Sequence, residues 1–561
     1  MFNFRRIRSV LALLLLACML VSTLMLNSCD IIDKILGKDK KPTTNPNAIV
    51  DPIDDNYRTL YQIYVRSFAD SDGDGIGDIR GIIETFDYLN DGDISSGNDL
   101  GVQAIWLTPI FEGASGHKYD AIDFTKIDPT FGDEDDLEEL IELCDARNVK
   151  LILDFALNHT STACQWFVES KNAHLNGQTS NKYYDYYNWN KTGGTGYVKL
   201  PKSNWYYESN FDTEGGSMPE LNYDNDDVRN EMLEIAKYWM DFGVDGFRFD
   251  AVKYIYYGNH SKSTEFYNWF NGELRKEYPD IYLIGECWDE DPVIKQYYSS
   301  MNCFYFPSAG SEGAIANAAK GGAISTFVDT VVYAQKNFAK TNPDAMLSLF
   351  LSNHDQIRSW HFFGINNKEA TVNKRKMAAS LYLLAPGTPV IYYGEEIGLE
   401  GSEVKGSSGP EDANYRLPMK WGDIWTCEVP NGATYDIDVW NNTVDDQRKD
   451  ENSLMMHYAK VLSVRHTYPA IARGTYNPLY AGKATFGGFF VDYGEDDMII
   501  LHNTSASETV TIDLTTLKST NNSKILANYT TFELLECLGV SSAELNGTTL
   551  TIGPQTTVII R

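Results

Sequence analysis

Three acidic residues and one arginine carry the chemistry that this sequence suggests. In residues 243–254, Gly-Val-Asp-Gly-Phe-Arg-Phe-Asp-Ala-Val-Lys-Tyr, Arg248 and Asp250 stand two apart in a run that reads as a strand. Both side chains therefore leave the same face. A cation beside a carboxylate keeps it ionised, so a lowered pKa is expected at Asp250, as an attacking carboxylate needs. Alone, the pair reads equally well as a structural ion pair. Glu286, in Gly-Glu-Cys-Trp at 285–288, sits among apolar and aromatic neighbours. These disfavour its charged form, raise its pKa and equip it to donate a proton. Asp355 closes Ser-Asn-His-Asp at 352–355. Two carboxyls with divergent pKa values are the equipment of glycoside hydrolysis, one as proton donor and one as nucleophile.

Other stretches offer binding groups. Asp70-Ser-Asp-Gly-Asp-Gly-Ile-Gly-Asp78 places oxygen donors at alternate positions, with glycines allowing a tight turn. The twelfth position is Gly81, not the glutamate of an EF-hand. The expectation is one Ca²⁺ held by Asp70, Asp72, Asp74, the Ile76 carbonyl and Asp78. In His117-Lys118-Tyr119-Asp120, Tyr119 can stack on a ring and Asp120 can bond hydroxyls or a cation. Asp154, Asn158 and His159 close a further strand; a lone histidine there is more often structural than functional.

These residues need a scaffold that brings separate strand ends together. Apolar runs at 60–68, 104–111, 149–157, 246–252, 282–288, 303–307, 346–353 and 388–393 read as eight strands. Segments 134–147, 228–242 and 373–384 have helical spacing between them. The fold expected is α/β, a (β/α)8 TIM barrel, whose active residues lie at the C-terminal strand ends. Residues 57–159 and 227–470 would form this barrel. The aromatic-rich excursion 160–226 would be an inserted domain, its rings mostly serving its own core. Residues 397–450 read as a second long loop region, and 471–561 as a C-terminal all-β sandwich with strands at 487–493, 498–502, 509–514 and 548–560.

The same stretches resemble the α-amylase family of glycoside hydrolases, family 13. DFALNH at 154–159, GFRFDAVKY at 246–254, GECW at 285–288 and SNHD at 352–355 match its signatures, with HKYD, MPELN, GTPVIYYGEEIG and RLPMKW in the family's order. The resemblance implies Asp250 as nucleophile, Glu286 as general acid and then base, and Asp355 as stabiliser of the transition state. Arg248 would orient Asp250. His159 and His354 would bond the sugar beside the broken bond, Tyr119 would stack on it, and Asp120 and Lys253 would complete the substrate contacts. Retention through a covalent glycosyl-enzyme requires the Asp250 and Glu286 carboxyls about 5–5.5 Å apart. Asn158 matches a position that binds a second calcium in many members.

Some positions depart from the family. Glu220 stands where aspartate is usual, and Tyr254 replaces a common histidine, removing one product-side contact. Met218 is typical of members between oligo-1,6-glucosidases and neopullulanases, and Ala251 with Lys253 matches α-1,4-acting ones. The expected activity is retaining, endo-acting hydrolysis of α-1,4 bonds in starch and maltooligosaccharides. Neopullulanase, α-glucosidase or oligo-1,6-glucosidase, glucan transglycosylase and a non-catalytic glucan-binding surface protein are the alternatives.

Composition narrows partners and place. With 561 residues and 43% hydrophobic content the chain can bury a large core, and its net charge of −31 repels nucleic acid and suits an uncharged substrate. Arg5, Arg6 and Arg8 precede an apolar run to Leu26, followed by Leu26-Asn27-Ser28-Cys29. Residues 1–28 thus resemble a bacterial lipoprotein signal, with lipid on Cys29, a flexible tether at 29–56, and a monomeric body on the outer face of a membrane. The remaining cysteines form no CxxC pair, so zinc is not expected and free thiols are.

Overall fold

The computed structural model describes residues 58–93, 96–402, 411–519, 526 and 529–561. The expected signal and tether, with Cys29, lie outside these residues. Eight short strands form one parallel sheet: β1 (Leu60–Ile63), β2 (Ala104–Leu107), β3 (Lys150–Phe155), β4 (Gly246–Phe249), β5 (Tyr282–Gly285), β6 (Asn302–Phe304), β7 (Leu347–Ser348) and β8 (Val390–Tyr392). They neighbour one another in sequence order, and β8 returns to β1. Phe350, just past β7, bridges Val390 in parallel, which closes the sheet into the expected barrel.

Nearly every barrel-strand residue is buried, because a parallel sheet is covered on both faces. That is why the strands read as apolar runs. Leu60, Ala104, Trp106, Ile152, Tyr282 and Ile284 pack together inside the barrel. Residues two further along each strand emerge at the C-terminal mouth, Asp154 after Ile152 and Glu286 after Ile284. Gly246 opens β4, where an added Cβ would lie 1.9 Å from the Tyr282 carbonyl oxygen, so only glycine lets β4 and β5 pair.

The helices close to expectation are α1 (Glu134–Ala146) and α2 (Asp226–Phe242). Asp133 and Asp136 form a capping box at the start of α1. The third, α3 (Glu369–Leu383), is not amphipathic. Every residue from Arg375 to Leu383 is buried, because α3 packs on the barrel side and also against helix Leu454–Thr467 and the C-terminal domain.

The inserted segment holds a helix, Gln165–Asn176, and a small sheet of Trp189–Asn190, Tyr197–Lys199 and Tyr206–Glu208. Phe167, Trp189, Tyr187 and Tyr207 pack ring to ring as its own core. The C-terminal domain pairs two antiparallel sheets. Its run 548–560 is two strands, Thr549–Ile552 and Thr556–Ile560, rather than one. Pro554 lacks an N–H, and Gln555 at φ +46° turns the chain, so the ladder breaks there. Helix Pro469–Arg473 straddles the boundary drawn at residue 470. Among the described residues all six cysteines are free, five buried and Cys537 exposed.

Candidate active site

Arg248 is the hub of the barrel mouth. It is buried, and in the sheet register it lies opposite Asp154 on one side and Ile284 on the other. Its Nη1 is 2.7 Å from Asp250 Oδ1 and 2.9 Å from Asp154 Oδ1, while its Nη2 is 3.2 Å from Glu286 Oε2. One guanidinium thus binds three carboxylates. Asp250 Oδ2 is buried without a hydrogen-bond partner, which leaves one carboxylate oxygen unengaged. Asp154 is further held by Trp106 Nε1 at 3.1 Å and by the Tyr119 hydroxyl at 2.8 Å.

Asp250 is followed by backbone strain. Ala251 has φ +46°, a left-handed conformation that L-residues avoid, and its N–H donates to Glu286 Oε2 at 3.1 Å. The turn therefore fixes both the nucleophile candidate and the acid candidate.

Asp355 completes the mouth. Its carboxylate is one-third exposed, 2.6 Å from Arg416 Nη2 and 3.2 Å from His354 Nε2. Arg416 also donates from Nε to the His354 carbonyl, fastening the loop from both sides. His354 is gripped at both nitrogens, by Gln62 at Nδ1 and by the Tyr119 hydroxyl at Nε2, both 2.6 Å. The Tyr119 ring lies parallel to it at 5.4 Å.

The environments separate the acids. Burial raises Glu286 to about 7, with the Asp250 and Asp355 charges adding to it. Burial also raises Asp250 to about 6, despite Arg248. This overturns the expected depression, because Arg248 is shared with Asp154 and Glu286 and desolvation outweighs its remaining pull. Burial would raise Asp355 as well, but His354, Arg416 and Arg248 together outweigh it and bring the carboxyl to about 2. Burial lowers His159 to about 4 and His354 to about 3, so both rings are neutral at pH 7.

The other expected contacts lie around this centre. His159 is buried, with Nδ1 on the Asn158 side chain at 2.6 Å and Nε2 on the Tyr119 carbonyl at 3.1 Å. Asp120 is buried and accepts from the Ser115 N–H and hydroxyl at 3.1 and 2.6 Å, which ties down its own loop. Lys253 turns to the Trp288 carbonyl at 2.6 Å and to Asp289 at 2.9 Å. Asp154 is named from the sequence only as a strand-end residue, and Arg416 is not singled out there. Asp154 was visible in DFALNH, but its pairing to Arg248 depends on strand register. Arg416 reaches Asp355 from an irregular loop.

The model of the α-amylase catalytic domain matches residues 62–474. The chain belongs to the α-amylase family. It is 35% identical over 455 residues to α-amylase 3 of Dictyoglomus thermophilum, covering 80% of this chain and 85% of that protein. It is 30% identical to an oligo-1,6-glucosidase of Parageobacillus thermoglucosidasius, covering 80% and 89%. The solved structure of Eubacterium rectale Amy13B superposes with a TM-score of 0.81 at 31% identity, covering 92% and 97%. The protein is accordingly a glycoside hydrolase of the α-amylase family.

Within this α-amylase family site, the two departures meet. Glu220 is buried and accepts from the Phe211 N–H at 2.9 Å and the Asn210 side chain at 3.0 Å. Phe211 stacks on His159 at 5.0 Å and meets Tyr254 edge-on at 5.2 Å. The acidic loop after β1 also gathers. Asp70, Asp72 and Asp78 each offer an oxygen within 4.8 Å of the others, a hard-oxygen set that fits a cation such as Ca²⁺. Asp74 stands outside that group, and its Oδ1 accepts the Ile76 N–H at 2.7 Å within the loop. Ile76 lies in the same run of bends.

Proposed function

We propose that this α-amylase-family enzyme hydrolyses internal α-1,4-glucosidic bonds of starch-like glucans with retention of configuration. The observation that carries the reading is the sharing of Arg248 among Asp154, Asp250 and Glu286, with Asp250 Oδ2 left without a partner. Glu286, protonated near neutrality, gives its proton to the leaving oxygen while Asp250 Oδ2 bonds to the anomeric carbon. Glu286 then takes a proton from water, whose oxygen displaces Asp250. Holding both carboxyls on one guanidinium supports the short separation, about 5–5.5 Å, that retention uses. Asp355, kept ionised by Arg416, stabilises the positive charge that develops on the ring.

Asp70, Asp72 and Asp78 would hold a Ca²⁺ that stiffens the loop after β1; no step of the reaction runs through it. The uncharged substrate suits the chain's net charge of −31. A lipid on Cys29 would keep the monomeric enzyme on the outer face of a bacterial membrane, where glucans arrive from outside.

A second reading, release of glucose from chain ends or from 1,6 linkages, draws on the relative named an oligo-1,6-glucosidase. Incubating the protein with amylose, pullulan and isomaltose beside Asp250→Asn separates the two. Mixed maltooligosaccharides from amylose, absent with the variant, support the endo-acting reading. Glucose alone, or products only from isomaltose, overturns it.

A further inference from the structure

Gln62 is a polar residue inside an apolar strand. It lies in β1 between Tyr61 and Ile63, fully buried, with its Nε2 2.6 Å from Nδ1 of His354. Its Oε1 is buried without a hydrogen-bond partner. An amide satisfied at one end only is costly inside a barrel, and a leucine of similar size would avoid that cost. The N–H given to His354 is what distinguishes glutamine from leucine here.

The direction of each proton beside it follows from Asp154. That carboxylate receives Trp106 Nε1–H at 3.1 Å and Arg248 Nη1 at 2.9 and 3.1 Å, so it acts as an acceptor only. The Tyr119 hydroxyl, 2.8 Å from Asp154 Oδ2, must therefore donate to it. Tyr119 has a single proton, which leaves its oxygen to accept from His354 Nε2 at 2.6 Å. Asp355 Oδ2, 3.2 Å from the same nitrogen, is a second acceptor. His354 is neutral, so a proton on Nε2 leaves only a lone pair on Nδ1, and the Gln62 N–H fills that place. His159 repeats the arrangement. Its Nε2 faces the Tyr119 carbonyl at 3.1 Å, which can only accept, and its Nδ1 faces the Asn158 amide at 2.6 Å. The Asn158 Oδ1 is likewise buried without a partner.

We propose that Gln62 is a positioning residue that locks His354 in the Nε2–H tautomer. It thereby fixes the proton direction of a chain that runs from Gln62 through His354 and Tyr119 to Asp154. The chain ends on Arg248, which Asp154 shares with Asp250 and Glu286. In the other tautomer the Nε2 lone pair would face Asp355 at 3.2 Å and the Tyr119 oxygen at 2.6 Å. Tyr119 would then turn its proton from Asp154 to His354, and Asp154 and Asp355 would each lose a donor. Gln62 acts only through His354, whose Nδ1 it holds. The kinetic consequence rests on the retaining reading above, because it needs Asp355 as the stabiliser; the tautomer itself does not.

NMR of the full chain with isotope-labelled histidine nitrogens reads the tautomer directly, since a protonated ring nitrogen and a bare one resonate far apart. The His354 signals are those lost in His354→Asn. Near neutral pH the wild type should show a proton on Nε2 and none on Nδ1. Gln62→Leu removes the donor with little change in volume, so His354 should shift toward the Nδ1–H form. Its kcat on maltohexaose should fall about 10- to 100-fold, with a smaller change in KM. Gln62→Glu, whose carboxylate only accepts, should place a proton on Nδ1 as well, with a loss of kcat at least as large. A wild-type ring protonated at Nδ1 overturns the proposal whether or not either variant folds. A Gln62→Leu enzyme that loses kcat with Nε2–H intact marks a packing role and overturns it too. So does one that changes tautomer and keeps its kcat, or one that changes in neither. The anomer first released from maltohexaose tests the underlying reading separately: a β-anomer would overturn retention and leave the tautomer result standing.

Discussion

Asp154 and Arg248 stand opposite each other in the register of β3 and β4, and Arg248 Nη1 contacts both Asp154 oxygens, at 2.9 and 3.1 Å. Asp250 bonds the same nitrogen at 2.7 Å. Asp154 therefore sets where Arg248 can sit, and Arg248 sets where Asp250 can sit. Asp154 also accepts from Trp106 and Tyr119, so it fixes the Tyr119 ring as well.

Asp154→Asn keeps the shape and removes the charge. Arg248 should then drift toward Asp250 and Glu286, and a misplacement of this kind costs about 10²-fold in kcat. KM should change little, because Asp154 is buried and shut off from solvent. Steady-state kinetics on maltohexaose give the split. A variant that changes KM alone would show that Asp154 contacts substrate instead.

Glu286→Gln cannot donate a proton. With maltooligosaccharides the loss should be about 10²- to 10⁴-fold. With α-maltosyl fluoride, which leaves without protonation, formation of the glycosyl-enzyme should survive. A burst of fluoride followed by slow turnover is the expected trace, since the second step still lacks its base. Equal loss of the burst and of maltohexaose turnover would falsify the acid assignment.

The pH profile follows from two opposite requirements. Asp250 must be ionised to attack, so activity should be lost as pH falls through about 6. Glu286 must carry its proton, so activity should be lost as pH rises through about 7. A narrow bell in kcat/KM between these limbs is expected, its two values belonging to the coupled pair rather than to either residue. Asp355 at about 2 and His354 at about 3 keep their charge states throughout that window. A profile flat across it would contradict the environments assigned to both acids.

The barrel was legible because parallel strands are apolar on both faces and turn to charge only where they reach the mouth. Asp250, Glu286 and Asp355 could be found that way, one strand end at a time. What the chain order hides is which strand end faces which. The Asp154–Arg248 pairing depends on register, and the Arg416–Asp355 contact spans an irregular loop with no periodicity to read. The raised pKa of Asp250 was hidden for the same reason, since the sequence displays the one neighbouring arginine and not the three acids that share it. Helix α3 lies where helical spacing is read, but a helix buried on both sides has no polar face to betray its orientation. In the C-terminal domain, Gly553-Pro554-Gln555 is a turn signal inside the run read as one strand, and the chain breaks there into two.

The acidic loop offers a prediction in which neighbouring aspartates should behave differently. Asp70 accepts the Gly73 and Gly75 N–H groups, and Asp78 accepts from Ser71 and caps helix Ile79–Glu84 through Gly81. Removing either breaks the turn whether or not a cation is bound, at about 1 kcal/mol for a lost cap alone. Asp72 is exposed and accepts one local N–H, from Asp74 at 3.0 Å, so its loss reports on cation binding more cleanly. Ca²⁺ at 100 times its Kd should stabilise the wild type by about 2.7 kcal/mol, read as a rise in Tm over the chelator-treated protein. Asp72→Ala should abolish most of that rise. Asp74→Ala should preserve it, because the Asp74 carboxylate stands outside the cluster and serves the Ile76 N–H. Loss of the Ca²⁺ response in Asp74→Ala with its retention in Asp72→Ala would reverse the ligand set.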